Sequence, residues 1–327
     1  MMRDGQRPLV SIITPAYNSA EYIHRPIESV LRQTYPNVEM IVVDDGSRDN
    51  TAEVVEQRYG GRVRCFRQAN GGQATARNTG LRHARGEIIG FVDADDELMP
   101  EMVSSLVEAL EAYSEAAVAS GSHICETGGV TLRGCPRGAV LPGGAERGLV
   151  PDFFETYRRM EIAGMGSVLV RRKVFEEIGT FCDGMDSGSD TEYWIRIGGR
   201  YPWAFVDREM MIYHRSIETS RSMAPGRVPS ADWIYDETEM QRRIRPELWD
   251  SFRRFRRDQT IRLCRVILST GSASKAREAL RRIPPAPMTR QWQLMRALAR
   301  LPGPLTQAVI RFRFKVRALL GRGRGEP

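Results

Sequence analysis

The sequence lacks a long apolar run. A membrane-spanning helix needs about 18 or more consecutive apolar residues, and no such stretch occurs among the 327 residues. Residues 1–8 also lack the apolar segment of a secretory signal peptide. These two absences favour a cytoplasmic protein over a membrane-spanning or exported one.

Cysteine is scarce and unpatterned. The five cysteines are odd in number, scattered and without CxxC spacing, which argues against a disulfide framework and a zinc site and indicates a reducing compartment. The glycine fingerprint GxGxxG is missing after the first predicted strand. Disulfide scaffolds, zinc-binding modules and Rossmann oxidoreductases are therefore disfavoured.

The net charge of +7 is unevenly distributed along the chain. Residues 221–327 carry 24 Lys and Arg against 9 Asp and Glu, a net charge of +15. Residues 1–220 carry 24 against 32, a net charge of −8. A basic C-terminal third suggests attraction to a polyanion, either a membrane or a nucleic acid. The alternative is that arginine serves here as an ordinary solvated residue.

Apolar β-like runs alternate with helical patterns over the N-terminal third. The predicted strands span residues 9–13, 38–43, 63–67 and 87–92, and a helix follows at residues 101–113. Such alternation predicts a parallel, doubly wound α/β sheet with helices on both faces.

The later part of the chain alternates less regularly. Glycines are dense between residues 128 and 148, which predicts a loop, and one interpretation is that it orders over a substrate. Further elements are predicted at residues 151–159, 168–171, 173–178, 193–198 and 211–214. Beyond residue 225 the pattern is helical, arginine-rich and interrupted by prolines.

Acidic residues follow two of the predicted strands, and a third acidic run contains Asp190. Asp45 follows the second strand, and Asp93 and Asp95 follow the fourth. Carboxylates at the carboxyl ends of strands in an open α/β sheet converge on the crevice that binds ligands. Aspartates separated by one residue suit a hard divalent cation that bridges to substrate phosphates. These acids predict a metal-dependent enzyme that acts on a phosphorylated donor.

Other residues near these acids each have two interpretations. Tyr17 could stack on a nucleobase or simply pack, and Asp45 could accept a hydrogen bond from a base N–H. Gly72 could let the backbone approach a ligand closely or form a plain turn. Arg77 could pair with a pyrophosphate or hold Asp45 in place.

These motifs occur in the order seen in family 2 glycosyltransferases of the GT-A fold, and the sequence resembles that family over roughly residues 8–222. The resemblance is to bacterial enzymes that make polysaccharides and cell-surface glycans. The shared runs are Pro-Ala-Tyr-Asn (15–18), Val-Asp-Asp-Gly-Ser (43–47), Asn-Gly-Gly (70–72), Ala-Arg-Asn-Thr-Gly (76–80), Phe-Val-Asp-Ala-Asp-Asp (91–96) and a later acidic run at 188–196.

The resemblance implies a GT-A glycosyltransferase domain over residues 1–222, an α/β fold with a doubly wound mixed sheet. Residues 223–327 would form a basic, mainly helical C-terminal region. The implied reaction is inverting, metal-dependent transfer of a sugar from a nucleoside-diphosphate donor, with UDP as the expected nucleotide. The implied acceptor is a glycan or lipid-linked glycan, and the implied cofactor is Mn²⁺ or Mg²⁺.

The family's site residues carry over to this chain one by one. Asp190 is the implied general base, although Ser189 stands where a glutamate is common. Asp95 is the implied metal ligand. His214 is a second candidate ligand, although relatives place their histidine at the position of Ser216. The implied nucleotide-sugar contacts are Pro15, Ala16, Tyr17, Asp45, Asn70, Gly72, Arg77, Asp93 and Ala94.

Residues 304–320 carry apolar positions at helical spacing with arginine and lysine around them. This pattern predicts an amphipathic helix that either binds an anionic bilayer or packs on the protein's own surface. The first alternative would place the protein peripherally on the inner face of the plasma membrane. No specific nucleic acid is expected, because the tail lacks the interleaved aromatics of a nucleic-acid reader.

Two rival functions stay open. A nucleotidyltransferase also combines an α/β sheet, a metal and a nucleotide, but it usually carries a glycine-rich loop with Lys or Arg where residues 15–18 stand. A catalytically silent scaffold that binds a nucleotide or nucleic acid would make use of the basic tail.

Overall fold

A computed structural model describes residues 7–127, 129–185, 188–214, 237–269, 273–282 and 290–301. Within these ranges one ten-stranded sheet forms the centre, with strand order β3-β2-β1-β4-β9-β6-β10-β5, β7 beside β6 and β8 beside β10. The strands are β1 (Val10–Ala16), β2 (Val38–Asp44), β3 (Val63–Arg67), β4 (Ile88–Phe91), β5 (Glu97–Leu98), β6 (Val118–Thr127), β7 (Val130–Arg133), β8 (Arg147–Leu149), β9 (Val168–Arg171) and β10 (Trp203–His214).

Helices cover both faces of this sheet, whereas the last two described helices pack against the helix Trp249–Ser269. Along β1, Ile12 belongs to one buried apolar cluster and Ile13 to the other, as expected of a strand covered on both faces. The α-helices are α1 (His24–Leu31), α2 (Thr51–Tyr59), α3 (Gln73–His83), α4 (Met102–Ala112), α5 (Phe153–Arg159), α6 (Arg172–Ile178), α7 (Ser189–Arg200), α8 (Glu237–Arg243), α9 (Trp249–Ser269), α10 (Ala273–Arg282) and α11 (Arg290–Leu298).

The first four strands pair as the sequence predicts. β1 runs parallel to β2 and β4, and β2 runs parallel to β3. Beyond β4 the sheet is mixed, because β9 is antiparallel to both β4 and β6 whereas β6 and β10 are parallel. The carboxyl ends of β1, β2 and β4 therefore lie side by side.

β6 lies at the centre of the second half of the sheet, and the sequence pattern does not predict it. β6 is rich in small residues, and its Ser120 hydroxyl accepts a hydrogen bond from Trp203 Nε1 at 2.7 Å. A Cβ on Gly121 would lie 2.5 Å from the Met210 side chain, so glycine is required for β10 to approach. Small residues here permit close pairing, although they weaken the alternation that identifies strands.

The glycine-rich stretch predicted as a loop contains β7 and β8. The guanidinium of Arg133 pairs with Asp207 at 3.0 Å and with Glu209 at 2.7 Å. Asp207 also accepts a hydrogen bond from the Gly138 backbone at 2.6 Å. These contacts fix the stretch to β10, so the prediction of one continuous loop is wrong.

Among the described residues, the helices α8 and α9 complete the core of the sheet domain. Phe252 and Phe255 of α9 are fully buried, with ring centroids 5.1 and 5.6 Å from that of Phe154 on α5. The predicted boundary at residues 222 and 223 and the predicted amphipathic helix at 304–320 lie outside the described residues. None of the described helices combines the length and apolar character needed to cross a bilayer.

Replacing Phe252 with alanine is expected to lower the free energy of unfolding by about 3–5 kcal/mol, because the ring leaves a cavity at the junction of α5 and α9. Urea unfolding measures this loss. Leu301→Ala is the control, since that side chain is 37% exposed. Equal effects of the two substitutions would mean that α9 does not belong to this core.

Glu155 ties α5 to α9 by charge and gives a pH-dependent prediction. Hydrogen bonds from Arg158 lower its pKa from 4.5 to about 2, and Arg159 and Arg254 also pair with it. A lowered pKa gives stability that is present above pH 4.5 and is lost as the pH falls towards 2.

Glu155→Gln should therefore lower neutral-pH stability by about 1 kcal/mol and flatten the acid decline, measured by thermal unfolding between pH 2 and 7. Glu108→Gln is the control, because Glu108 is largely exposed beside Arg147. An unchanged acid decline in Glu155→Gln would contradict the assignment.

Candidate active site

The loops that follow β1 and β2 are bound to each other. Asn18 adopts a left-handed backbone at φ +49°, and its N–H donates to Ser47 Oγ at 2.9 Å. Its side-chain oxygen accepts from the Arg48 N–H at 2.8 Å. Pro15 and Ala16 end β1 in the core, and the half-buried Tyr17 follows them. The structure thus brings the predicted 15–17 contact group beside the loop after β2.

Asp45 holds the glycine loop at this edge of the sheet. Its buried carboxylate accepts hydrogen bonds from Gln68 Nε2 at 2.7 Å and from the N–H groups of Gly71 and Gly72 at 2.8 Å each. Asn70 Nδ2 donates to the Asp45 carbonyl at 2.9 Å. A carboxylate has about four acceptor positions, so one position is left for a ligand donor.

Arg77 pairs with Asp93 rather than with Asp45. The guanidinium is 3% exposed, and its Nη2 lies 2.7 Å from Asp93 Oδ1. It also stacks over the Phe181 ring at 5.7 Å from the ring centroid. The sequence-based alternative in which Arg77 fixes Asp45 is therefore wrong. The positive charge of Arg77 is instead fixed at the carboxyl end of β4.

The acidic run after β4 concentrates three carboxyl groups, Asp93, Asp95 and Asp96, at the end of the strand. Asp95 is half-buried next to Ala94, and burial together with the charge of Asp93 raises its pKa. Asp96 is 1% exposed, and burial raises its pKa well above the usual value, with Asp93 and Asp95 adding to the shift. Its Oδ1 accepts a hydrogen bond from the His214 N–H at 3.1 Å.

His214 lies between two glutamates. Its Nε2 is 3.1 Å from Glu97 Oε1, and its Nδ1 is 3.3 Å from Glu126 Oε2. Both ring nitrogens are therefore engaged by carboxylates. His214 would have to release one of these contacts in order to bind a metal.

The acidic run fits a divalent cation. Mg²⁺ and similar ions are commonly held by one or two carboxylates together with substrate phosphates, and Asp95 offers a carboxylate whose pKa is raised by burial and by the charge of Asp93. In the parts of the chain that the structure describes, no three His, Cys, Asp or Glu side chains form a ready-made metal cage. The site is thus suited to a cation that the substrate helps to bind.

Asp190 lies in the first turn of α7, where the helix dipole favours a carboxylate. Its Oδ1 accepts a hydrogen bond from the Thr191 N–H at 2.7 Å. Burial raises the pKa of Tyr157 on α5, and the charge of Asp190 adds to the shift. Trp194 of the same helix is fully buried in the core.

Three residues of the site escape the sequence analysis: Gln68, Asn78 and Tyr157. Gln68 stands just before the shared run 70–72, and Asn78 lies within the shared run 76–80. Only hydrogen bonds reveal that Gln68 binds Asp45 and that Asn78 binds the segment after α6. Tyr157 comes from a distant helix and carries no motif, so the shared run around Asn78 was the one available signal.

Comparisons with known proteins agree with this geometry. Residues 11–179, more than half of the chain, match the model of glycosyl transferase family 2. An uncharacterized glycosyltransferase of Rickettsia felis is 35% identical over 194 residues, which cover 58% of this chain and 31% of that protein. Chondroitin synthase of Pasteurella multocida is 48% identical over 98 residues, covering 29% and 10%. The chain thus spans about a third or less of the length of these curated relatives.

The fold has solved counterparts. The crystal structure of S. aureus TarS 1-349 in complex with UDP-GlcNAc matches with a TM-score of 0.65 at 17% identity, covering 96% of this chain and 92% of that one. The complex with UDP matches with a TM-score of 0.61, covering 98% and 93%. These matches show a mixed α/β sheet of the GT-A type with a helical C-terminal region. The family match shows that the chain belongs to glycosyl transferase family 2.

Proposed function

We propose that the protein is an inverting glycosyltransferase that moves a sugar from a nucleoside-diphosphate donor to a glycan or lipid-linked glycan. The observation that carries this proposal is the Asp45 carboxylate fixing Gly71 and Gly72 next to the Arg77–Asp93 ion pair. At the carboxyl ends of β1, β2 and β4, the glycine backbone can approach a ligand closely, Asp45 has one unused acceptor position, and Arg77 supplies a fixed positive charge.

The donor binds through this edge of the sheet. Tyr17 stacks on the base, and the remaining acceptor position of Asp45 takes a base N–H. Asp93 accepts from the ribose, with the other contacts made by Pro15, Ala16, Asn70, Gly72 and Ala94. The complexes of TarS with UDP-GlcNAc and UDP support uridine as the base.

Asp190 is the proposed general base of the transfer. Its carboxylate takes the proton of the acceptor hydroxyl as the oxygen attacks the anomeric carbon. The bond from that carbon to the diphosphate breaks, and the electron pair leaves with the nucleotide. Asp95 would hold Mn²⁺ or Mg²⁺, and such an ion would supply positive charge to the departing diphosphate. Arg77 adds a fixed positive charge nearby.

The acceptor is proposed from two other observations. The names chondroitin synthase and hyaluronan synthase for two relatives support a polysaccharide chain. The basic C-terminal third supports an acceptor carried on an anionic membrane, with the protein bound peripherally at its inner face.

Nucleotide release from a panel of UDP-, GDP-, dTDP- and CMP-sugars, with Mn²⁺ or with chelator, tests this proposal. We expect metal-dependent release from one UDP-sugar. Release that is unaffected by chelator would remove the metal from the mechanism. No release and no UDP binding would favour the silent scaffold.

A further inference from the structure

Residues 178–183, which we term the strap, lead from the end of α6 towards α7. The strap contains Gly179 at φ +82° and is followed by Gly184 at φ +75°. These left-handed positions allow the sharp turns that bring the strap against both α3 and α7.

The strap is clamped on one side by α3. The Asn78 side chain, in a residue that is 4% exposed, donates from Nδ2 to Phe181 O at 2.9 Å and to Asp183 Oδ1 at 3.0 Å. Its Oδ1 accepts from the Phe181 N–H at 3.0 Å. Thr75 Oγ1 adds a hydrogen bond to Asp183 Oδ1 at 3.0 Å. A carboxamide supplies both the donors and the acceptor that this clamp needs.

The other side of the strap is held by α7, the helix that carries Asp190. The Tyr193 hydroxyl donates to Gly179 O at 3.1 Å. Arg196 donates from Nη1 to Ile178 O at 2.8 Å and from Nη2 to Thr180 O at 2.7 Å. These charge-assisted bonds make the strap and α7 one unit.

The ring of Phe181 joins the two sides. It is 3% exposed, and its centroid lies 4.5 Å from the Tyr193 ring and 5.2 Å from the Phe91 ring. The Arg77 guanidinium, paired with Asp93, lies over the same ring. The buried Phe181 ring therefore contacts both Arg77, at the proposed donor site, and α7, the helix that carries Asp190.

We propose that the strap sets the position of Asp190 relative to the donor, and that Asn78 is its positioning residue. This inference rests on the proposed function, because it gives the strap a part in the same reaction. Asn78 acts through Phe181 and Asp183 rather than through contact with the reacting atoms. A misplacement of about 1 Å between reacting groups can cost on the order of 10²-fold in rate.

Kinetics of Asn78→Leu and Asp183→Ala test the proposal. Asp183 is exposed, so the second variant removes one contact of the clamp and keeps both hydrogen bonds between Asn78 and Phe181. We expect kcat for transfer to fall about tenfold or more in Asn78→Leu, and less in Asp183→Ala, with UDP affinity unchanged in both. Arg82→Gln, an exposed change on the same helix, is the control and should leave kcat and UDP affinity unaltered. A purely structural defect would instead lower UDP affinity or the melting temperature together with kcat.

Alkylation of the exposed Cys182 gives a readout that needs no turnover. The residue as a whole is exposed, but partial burial of its thiol and the nearby Glu192 raise the pKa of that thiol, and the thiolate is the reactive form. A released strap should therefore speed alkylation of Cys182, followed by peptide mass spectrometry without ligand. An unchanged kcat, or equal alkylation rates in wild type and both variants, would overturn the role of the strap. If the wild type transfers no sugar, the proposed function fails, and the alkylation rates alone decide whether Asn78 clamps the strap.

Discussion

Asp190→Asn is expected to lower kcat for sugar transfer by about 10³-fold, within the range for loss of a general base. The amide keeps the size of the carboxylate and its hydrogen bond to the Thr191 N–H, but it cannot take a proton from the acceptor hydroxyl. UDP affinity should be unchanged, because the donor contacts lie at the carboxyl ends of the strands. Steady-state kinetics and calorimetric titration with UDP measure the two quantities separately.

Asp250→Asn provides the matched control for this substitution. Asp250 also lies in the first turn of a helix, α9, and is exposed. Both variants lose one charge at a helix N-terminus, so a dipole effect on stability affects both. Wild-type turnover in Asp190→Asn would show that Asp190 is not the general base.

Asp45→Asn is expected to weaken UDP binding by about tenfold or more, because a buried polar group loses its partners. The carboxylate accepts from Gly71 and Gly72 through different oxygens. An amide turns one of those oxygens into a donor that faces an N–H. The glycine loop then moves away from the base pocket.

UDP titration of Asp45→Asn, beside Glu87→Gln as the control, measures this effect. Glu87 is an exposed acid just before β4, at the edge of the sheet away from the site. Wild-type UDP affinity in Asp45→Asn would mean that the donor does not use the glycine loop.

The parallel half of the fold could be predicted from the sequence because its strands are buried on both faces. Ile12, Ile13, Ile41 and Val42 are all fully buried, so their runs are continuously apolar and stand out. β6 could not be predicted in this way. Ser120 of β6 accepts a hydrogen bond from Trp203 of β10, and Gly121 leaves room for Met210 of β10. These contacts depend on both strands, so the sequence of β6 alone does not reveal them.

The sequence predicts which residues belong to the site better than it predicts which of these residues contact one another. The order of motifs identifies Asp45, Gly72 and Arg77, yet hydrogen bonds between distant segments decide which groups meet. Arg77 could equally have reached Asp45, and only the packing of Phe181 over its guanidinium fixes it on Asp93. The glutamates around His214 likewise come from β5 and β6, which the sequence did not predict.

The anomeric configuration of the first-formed product tests the central claim most directly. Proton NMR of the glycosidic product, made with the donor that the nucleotide-release panel selects, reports that configuration, which is fixed once the linkage has formed. A base at Asp190 that directs attack opposite the departing diphosphate predicts inversion, so an α-linked donor sugar gives a β-linked product. Retention of configuration would contradict direct displacement assisted by Asp190.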